Sequence, residues 1–171
     1  MSCAVSPAPS SQGEIDAFLE AAMILDSGWP ALADASDAAM VDPMCGAGTY
    51  SLEAALMVKK IPPGWFREFA FMQWPAYRTK RFEYLKRQFE DDFVQPEKPV
   101  IFASDKDPQA CRQLERCSRQ FGLSDTVSIN NADFFDLVPS DLTDQPGLIT
   151  INPPYGRRIG TRQESSEMFH A

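Results

Sequence analysis

The chain has 171 residues, 44% of them hydrophobic, which is enough apolar material for one buried core and makes a single domain the expectation. A formal net charge of −8 and a pI near 4.6 exclude a grip on polyanions by bulk electrostatics, so any nucleic acid must meet a local patch or be held by another module. No apolar run is long enough to span a bilayer and no basic-then-apolar leader opens the chain, so export and membrane insertion are not expected and a cytoplasmic location is.

Residues 1–13, rich in Ser, Pro and Ala, are expected to be a flexible lead, with the domain running from 14 to 171. From Glu14 to Ser27, the residues Ile15, Phe18, Leu19, Ala22, Met23 and Leu25 recur at helical spacing. The spacing predicts an amphipathic helix that ends near Gly28 and either borders a site or simply packs. Ala38–Val41 is the first expected strand. It runs into Asp42-Pro43-Met44-Cys45-Gly46-Ala47-Gly48-Thr49, and a helix follows from about Tyr50 to Lys59. A strand, a glycine turn and a helix form a ligand cradle, because glycines let the backbone approach closely and the helix amino end favours electron-rich groups. A Walker phosphate loop is excluded because no lysine precedes Thr49, and the dinucleotide fingerprint is excluded because Ser51 stands at its third glycine. What remains suits a cofactor with an amino-acid moiety and an adenosine but no phosphates, which S-adenosylmethionine is; alternatively the loop is only a tight turn.

Residues 60–79 are a proline-punctuated aromatic segment, followed by an expected helix from Lys80 to Phe93. The aromatics either line a lid or, as is expected for Phe66, Phe69 and Phe71, fasten a long connection to the core; Trp65 and Trp74 stay open. Arg78, Lys80, Arg81, Lys86 and Arg87 form a basic group whose simplest role is a solvated helix face. Pro99–Ser104 is a second strand, and a helix follows through Phe121. Asp107 before Pro108 is a natural helix N-cap, whereas Asp105 at the strand tip is free to accept from both hydroxyls of a ribose. Thr126–Ile129 is the third strand. Beyond it, Asp133 either accepts from an adenine amino group with Phe134 on the purine face, or caps a turn while Phe134 and Phe135 join the core.

Gly147–Ile151 is the fourth strand and delivers Asn152-Pro153-Pro154-Tyr155-Gly156 to its carboxyl end, where open α/β sheets bind ligands. Two prolines stiffen the chain, so a planar base can stack on Tyr155 while its amine donates to the Asn152 oxygen and a proline carbonyl. Alternatively the pentapeptide is a rigid turn. Arg157, Arg158 and Arg162 adjoin this proposed pocket. The alternation predicts a doubly wound parallel α/β sheet in the order 3-2-1-4, with the glycine loop, Asp105, Asp133 and Asn152 on one rim. No metal-ligand cluster is present, the lone histidine at 170 disfavours a Ser-His-Asp hydrolase, and Cys3, Cys45, Cys111 and Cys117 form no CxxC pair and are expected as reduced thiols.

Taken in order, the motif at 42–49 with Leu52-Glu53-Ala54-Ala55, then Ser104-Asp105-Lys106-Asp107-Pro108, Asp133-Phe134-Phe135-Asp136-Leu137 and Asn152-Pro153-Pro154-Tyr155-Gly156 closely resemble one family. It is the Rossmann-like S-adenosylmethionine-dependent methyltransferases of RNA guanine N2, typified by the 23S rRNA enzymes and often labelled N6-adenine-specific DNA methylases. Phe71 and Trp74-Pro75 are similar too, and the resemblance covers residues 14 to about 162. It implies that Asp42, Pro43, Cys45, Gly46, Gly48 and Thr49 hold the methionine part of the cofactor, Asp105 the ribose, and Asp133 and Phe134 the adenine, with Lys106 also among the cofactor-binding residues. Asn152, Pro153, Pro154 and Tyr155 would then serve the target amine. Family members carry an RNA-binding THUMP module before the catalytic part and further strands after the fourth, so the expectation is a domain truncated after that strand, with RNA held by a module absent from this chain. Adenine-N6 methylation of DNA or RNA, and a non-catalytic cofactor-binding domain, are the alternatives.

Overall fold

The computed structural model describes residues 12–34 and 38–153. Helices α1 (Gln12–Asp26) and α2 (Trp29–Ala33) precede strand β1 (Ala39–Asp42) and helix α3 (Thr49–Val58). After a long excursion that contains α4 (Thr79–Glu90) come β2 (Ile101–Asp105), α5 (Pro108–Gln120), β3 (Val127–Asn131), α6 (Pro139–Leu142) and β4 (Gly147–Ile149). The four strands pair in parallel in the order β3-β2-β1-β4, as expected, so all four carboxyl ends open on one rim.

Burial explains the register. Met40, Ile101 and Ala103 on the sheet meet Leu52, Ala54 and Ala55 of α3 and Leu114 and Cys117 of α5 in one core. Helix α5 buries Cys111, Leu114, Cys117 and Ser118, the three-to-four spacing of a one-faced helix. It starts where Asp107 accepts from the Gln109 amide at 2.8 Å, with Pro108 as its first residue, and it stops at Gly122. Helix α3 is buried nearly all round, because α1 and α2 cover its outer side and Trp29 donates its indole N–H to the Ala54 carbonyl.

Several details depart from the sequence expectation. Helix α1 turns Ile24 fully inward against the core and leaves Phe18, Leu19, Met23 and Leu25 exposed, so only part of its apolar spacing is used in packing. Helices α2 and α6, of five and four residues, are too short for periodicity to mark them. Strand β2 extends to Asp105 and β3 to Asn131, since Asp105 pairs with Asn131; β4 ends at Ile149, two residues early. Cys45 and Cys111 are free, but Cys117 is disulfide-bonded, contrary to expectation.

The aromatic excursion lies away from the rim. Helices α3 and α5 both run back from the strand carboxyl ends, and the excursion fastens where they finish. Phe66 packs on Phe121 at 4.8 Å and Trp65 on Phe93 at 5.0 Å, while the Val94 amide donates to the Lys59 carbonyl. The fastening role therefore holds for Phe66 and extends to Trp65. Phe69 and Phe71 stack on each other, with Phe71 and Tyr77 both against Phe82 of α4, so they knit the excursion together instead of reaching the main core.

Candidate functional site

The loop after β1 is shaped by three contacts. The Cys45 amide donates to the Ser104 carbonyl, the Gly46 amide to Asp105 Oδ2 at 2.9 Å, and the Gly48 amide to the Cys45 carbonyl. Gly46 and Gly48 both take positive φ, +51° and +82°. A Cβ on Gly48 would also overlap the Leu114 side chain, so this glycine serves close packing of the loop on α5.

Asp105 is the hub of the rim. Its second oxygen accepts from the Asp107 amide at 2.8 Å, and its backbone carbonyl accepts from the Asn131 side chain at 2.7 Å. The carboxylate is thus not free, as the sequence suggested, but each oxygen has accepted one backbone N–H and keeps acceptor capacity for a diol. Asp133 caps the 3₁₀ turn Phe134–Asp136 by accepting from the Phe135 amide at 3.1 Å, which fulfils the structural alternative for this residue. The phenylalanines do not join the core: Phe135 is 56% exposed and Phe134 half-buried.

These groups meet in a cleft of about 260 Å³ lined by Pro43, Met44, Gly46, Asp105, Lys106, Asp107, Ala110, Asp133, Phe134, Phe135 and Asn152. Gly46, Asp105, Asp133 and Asn152 therefore share one rim. Met44, Asp107, Ala110 and Phe135 were not singled out for the site. Ala110 lies one turn after Asp107 on α5 and could have been placed by that spacing; Met44 and Phe135 had only their adjacency to candidates as a signal. Cys45, Gly48 and Thr49 do not line the cleft and instead shape the loop and begin α3. Pro153 is described but does not line it, and Pro154, Tyr155, Arg157, Arg158 and Arg162 lie outside the described residues.

Asn152 is held from α1. Its Nδ2 donates to Glu20 Oε1 at 3.2 Å. An ionised carboxylate only accepts, so this contact fixes the amide's orientation and leaves Asn152 Oδ1 as an acceptor. The polar balance is also informative. Three carboxylates and one lysine beside apolar walls repel a pyrophosphate and suit a ligand that carries positive charge.

Asp42 sits beneath the loop, 1% exposed, with Ser51 donating to its Oδ2 at 2.8 Å and its Oδ1 unpartnered among the described residues. Burial pushes its carboxyl up to about 7; the Ser51 hydroxyl opposes this, and the charges of Glu20 and Asp105 reinforce it. A carboxyl whose folded pKa is raised stabilises the fold fully below its unfolded value, and loses that contribution as pH rises through the folded value. Stability of the ligand-free chain is therefore expected to fall between about pH 4 and 7 by at most roughly 4 kcal/mol from this group. Urea melts across that range test it: Asp42→Asn flattens the slope, and an unchanged slope would contradict the assignment. The Cys45 thiol, raised by burial and then by Asp42, is no nucleophile at neutral pH.

A parallel sheet in this order, with a glycine loop after its first strand and carboxylates at the tips beyond the second and third, defines a doubly wound nucleotide-type binding domain. Within that class the chain belongs to the family described as UPF0020, RMKL-like, methyltransferase domain, which matches residues 9–171. It is similar to the ribosomal RNA large subunit methyltransferases K/L of Pseudomonas aeruginosa (36% identity over 152 residues) and Saccharophagus degradans (33% over 151). Those matches cover 83% and 85% of this chain, which spans about a fifth of the length of the curated relatives. Among solved structures it resembles SMU.472, assigned as a methyltransferase and complexed with SAH, at TM-score 0.76 and 28% identity over 93% of this chain and 40% of that one. It also resembles a protein of Listeria monocytogenes assigned as an N6-adenine-specific DNA methylase, at TM-score 0.74 and 25% identity over 90% and 38%.

Proposed function

We propose that this chain binds S-adenosylmethionine in the cleft and transfers its methyl group to the exocyclic N2 amine of guanine in large-subunit ribosomal RNA. The observation that carries the proposal is the convergence of Gly46, Asp105, Asp133 and Asn152 on one cleft with acidic character. The residues present fit the cofactor: carboxylates for the diol and the cationic part, Phe134 and Phe135 for the purine face, and no phosphate-binding lysine in the glycine loop. When bound, S-adenosylmethionine supplies an electrophilic methyl on a sulfonium sulfur.

The chain's own work is positioning. Asn152 Oδ1, oriented by Glu20, and the Pro153 carbonyl accept the two hydrogens of the target amine, which leaves the nitrogen lone pair free. Tyr155 offers a stacking face for the base, Pro154 stiffens the approach, and the released proton passes to solvent. Ribosomal RNA is supported by the names of the K/L relatives, and a cytoplasmic location accompanies such a substrate. The name of the Listeria relative supports a second reading, methylation of adenine N6.

Incubation with labelled S-adenosylmethionine and either 23S rRNA or DNA, followed by nucleoside digestion, separates the two. N2-methylguanosine is the expected product, and its loss in Asn152→Ala ties it to this site. N6-methyladenosine alone would transfer the assignment to adenine. Cofactor binding without any methylated product would leave a non-catalytic binding domain.

A further inference from the structure

The excursion between α3 and β2 concentrates two residue types. Six of the chain's sixteen Lys and Arg residues fall between 67 and 87, against two of its twenty-four acids. Nine aromatic residues lie between 65 and 89. In a protein of net charge −8 this is a local inversion of sign. Helix α4 packs on the excursion rather than on the sheet, through a groove lined by residues that include Trp65, Arg67, Phe69, Phe82, Lys86 and Phe89.

Within the groove the two types are already paired. Lys86 Nζ lies 4.2 Å from the Trp65 ring centre and donates to the Trp65 carbonyl at 2.9 Å, and the Arg67 guanidinium lies 5.9 Å from the Phe69 ring. Trp74 and Tyr84, outside it, are 65% and 60% exposed, and Phe89, which lines it, is 54% exposed. Arg78, Lys80, Arg81 and Arg87 are exposed and make no ion pair among the described residues. A helix that is merely solvated needs the charges but not the exposed rings. Rings that merely pack need no cations around them. Interleaved cations and exposed rings match a single nucleic-acid strand, whose phosphates meet the former while its bases stack on the latter.

We infer that α4 and the aromatic segment before it form a single-stranded RNA contact surface, at the opposite end of the sheet from the cleft. The choice of RNA as the occupant rests on the function proposed above. The surface would hold a substrate flank while the target base enters the cleft, in addition to any grip from other modules. The length of α3, about 15 Å for ten residues, separates the glycine loop from the point where the excursion begins.

Fluorescence anisotropy with a labelled, unstructured twelve-nucleotide RNA tests the surface on the full 171-residue chain. Wild type should bind, and more weakly as salt rises from 50 to 200 mM. Arg78→Glu/Lys80→Glu/Arg81→Glu should weaken binding about tenfold or more and flatten the salt slope, and Trp74→Ala should weaken it several-fold. SAH affinity, measured by calorimetry, should be unchanged in both variants, which also shows that they fold. Asp105→Ala should do the reverse, losing SAH and keeping RNA, so that failure of the cleft and failure of this surface are distinguishable. RNA affinity unaffected by the triple reversal would overturn the inference. So would self-association through the same face, seen by sedimentation and abolished by Trp74→Ala.

Discussion

Lys59→Met is expected to lower the melting temperature by roughly 2–12 °C, the consequence of removing a buried ammonium and leaving its acceptors without their donor at about 1–3 kcal/mol. Lys59 is 3% exposed at the end of α3, and its ammonium donates to Gln95 Oε1, to the Gly122 carbonyl and to the Asp125 carboxylate, the last at 2.6 Å. One side chain thus joins the end of α3, the lead into β2 and the turn between α5 and β3. Methionine matches its stem in volume but satisfies none of the three acceptors. The double variant Lys59→Met/Asp125→Asn should recover part of the loss, because the orphaned carboxylate becomes neutral.

The same pair predicts an acid effect. Burial tends to raise the Asp125 carboxyl, but the Lys59 and Thr126 hydrogen bonds outweigh it and hold the group below its usual range. A lowered carboxyl contributes stability above its unfolded pKa and loses it as pH falls through the folded value. Wild type should therefore lose stability from this pair only below about pH 4, and Lys59→Met should lack that component. Thermal melts at pH 3 and pH 5 compare them. Equal melting temperatures for wild type and Lys59→Met at pH 5 would show that the contact is not structural.

Asp105→Ala carries the second large effect. It removes the acceptor of the Gly46 and Asp107 amides at once, so the glycine loop and the start of α5 lose their common tie. Each such bond to a charged group is worth about 1.5–3 kcal/mol. With the loop unmoored and the proposed diol contact gone, SAH affinity should fall about 100-fold or more. Calorimetry reads it directly. Asp105→Asn, which keeps an acceptor for one amide, should lie between the two, and wild-type affinity in Asp105→Ala would contradict the role of this carboxylate.

Much of this architecture was legible because its signals are local. Asp107-Pro108 marked the start of α5, Gly122 its end, and the apolar runs before Asp42, Asp105 and Asn152 marked three of the four strands. Their regular alternation then gave the strand order. Position within the site was harder to read. Whether a loop residue faces a ligand or packs inward depends on tertiary contacts: Gly48 was a cradle candidate, and only the proximity of Leu114 shows that it serves packing. Asp133 was open to two readings, and it caps the turn through Oδ1 while it also lines the cleft, so the two readings do not exclude each other. Glu20 carried no signal, because the Asn152 it orients is 132 residues away in sequence. The exposed side of α1 misled in the other direction, since helical periodicity registers apolar spacing without registering what covers it.

The central claim is that the rim formed by Gly46, Asp105, Asp133 and Asn152 holds a sulfonium nucleoside. A crystal structure of this chain grown with SAH tests it most directly. The account predicts the ribose hydroxyls at Asp105, the adenine against Phe134 and the sulfur directed toward Asn152. SAH bound elsewhere on the chain, or a cleft left empty at saturating SAH, would contradict it.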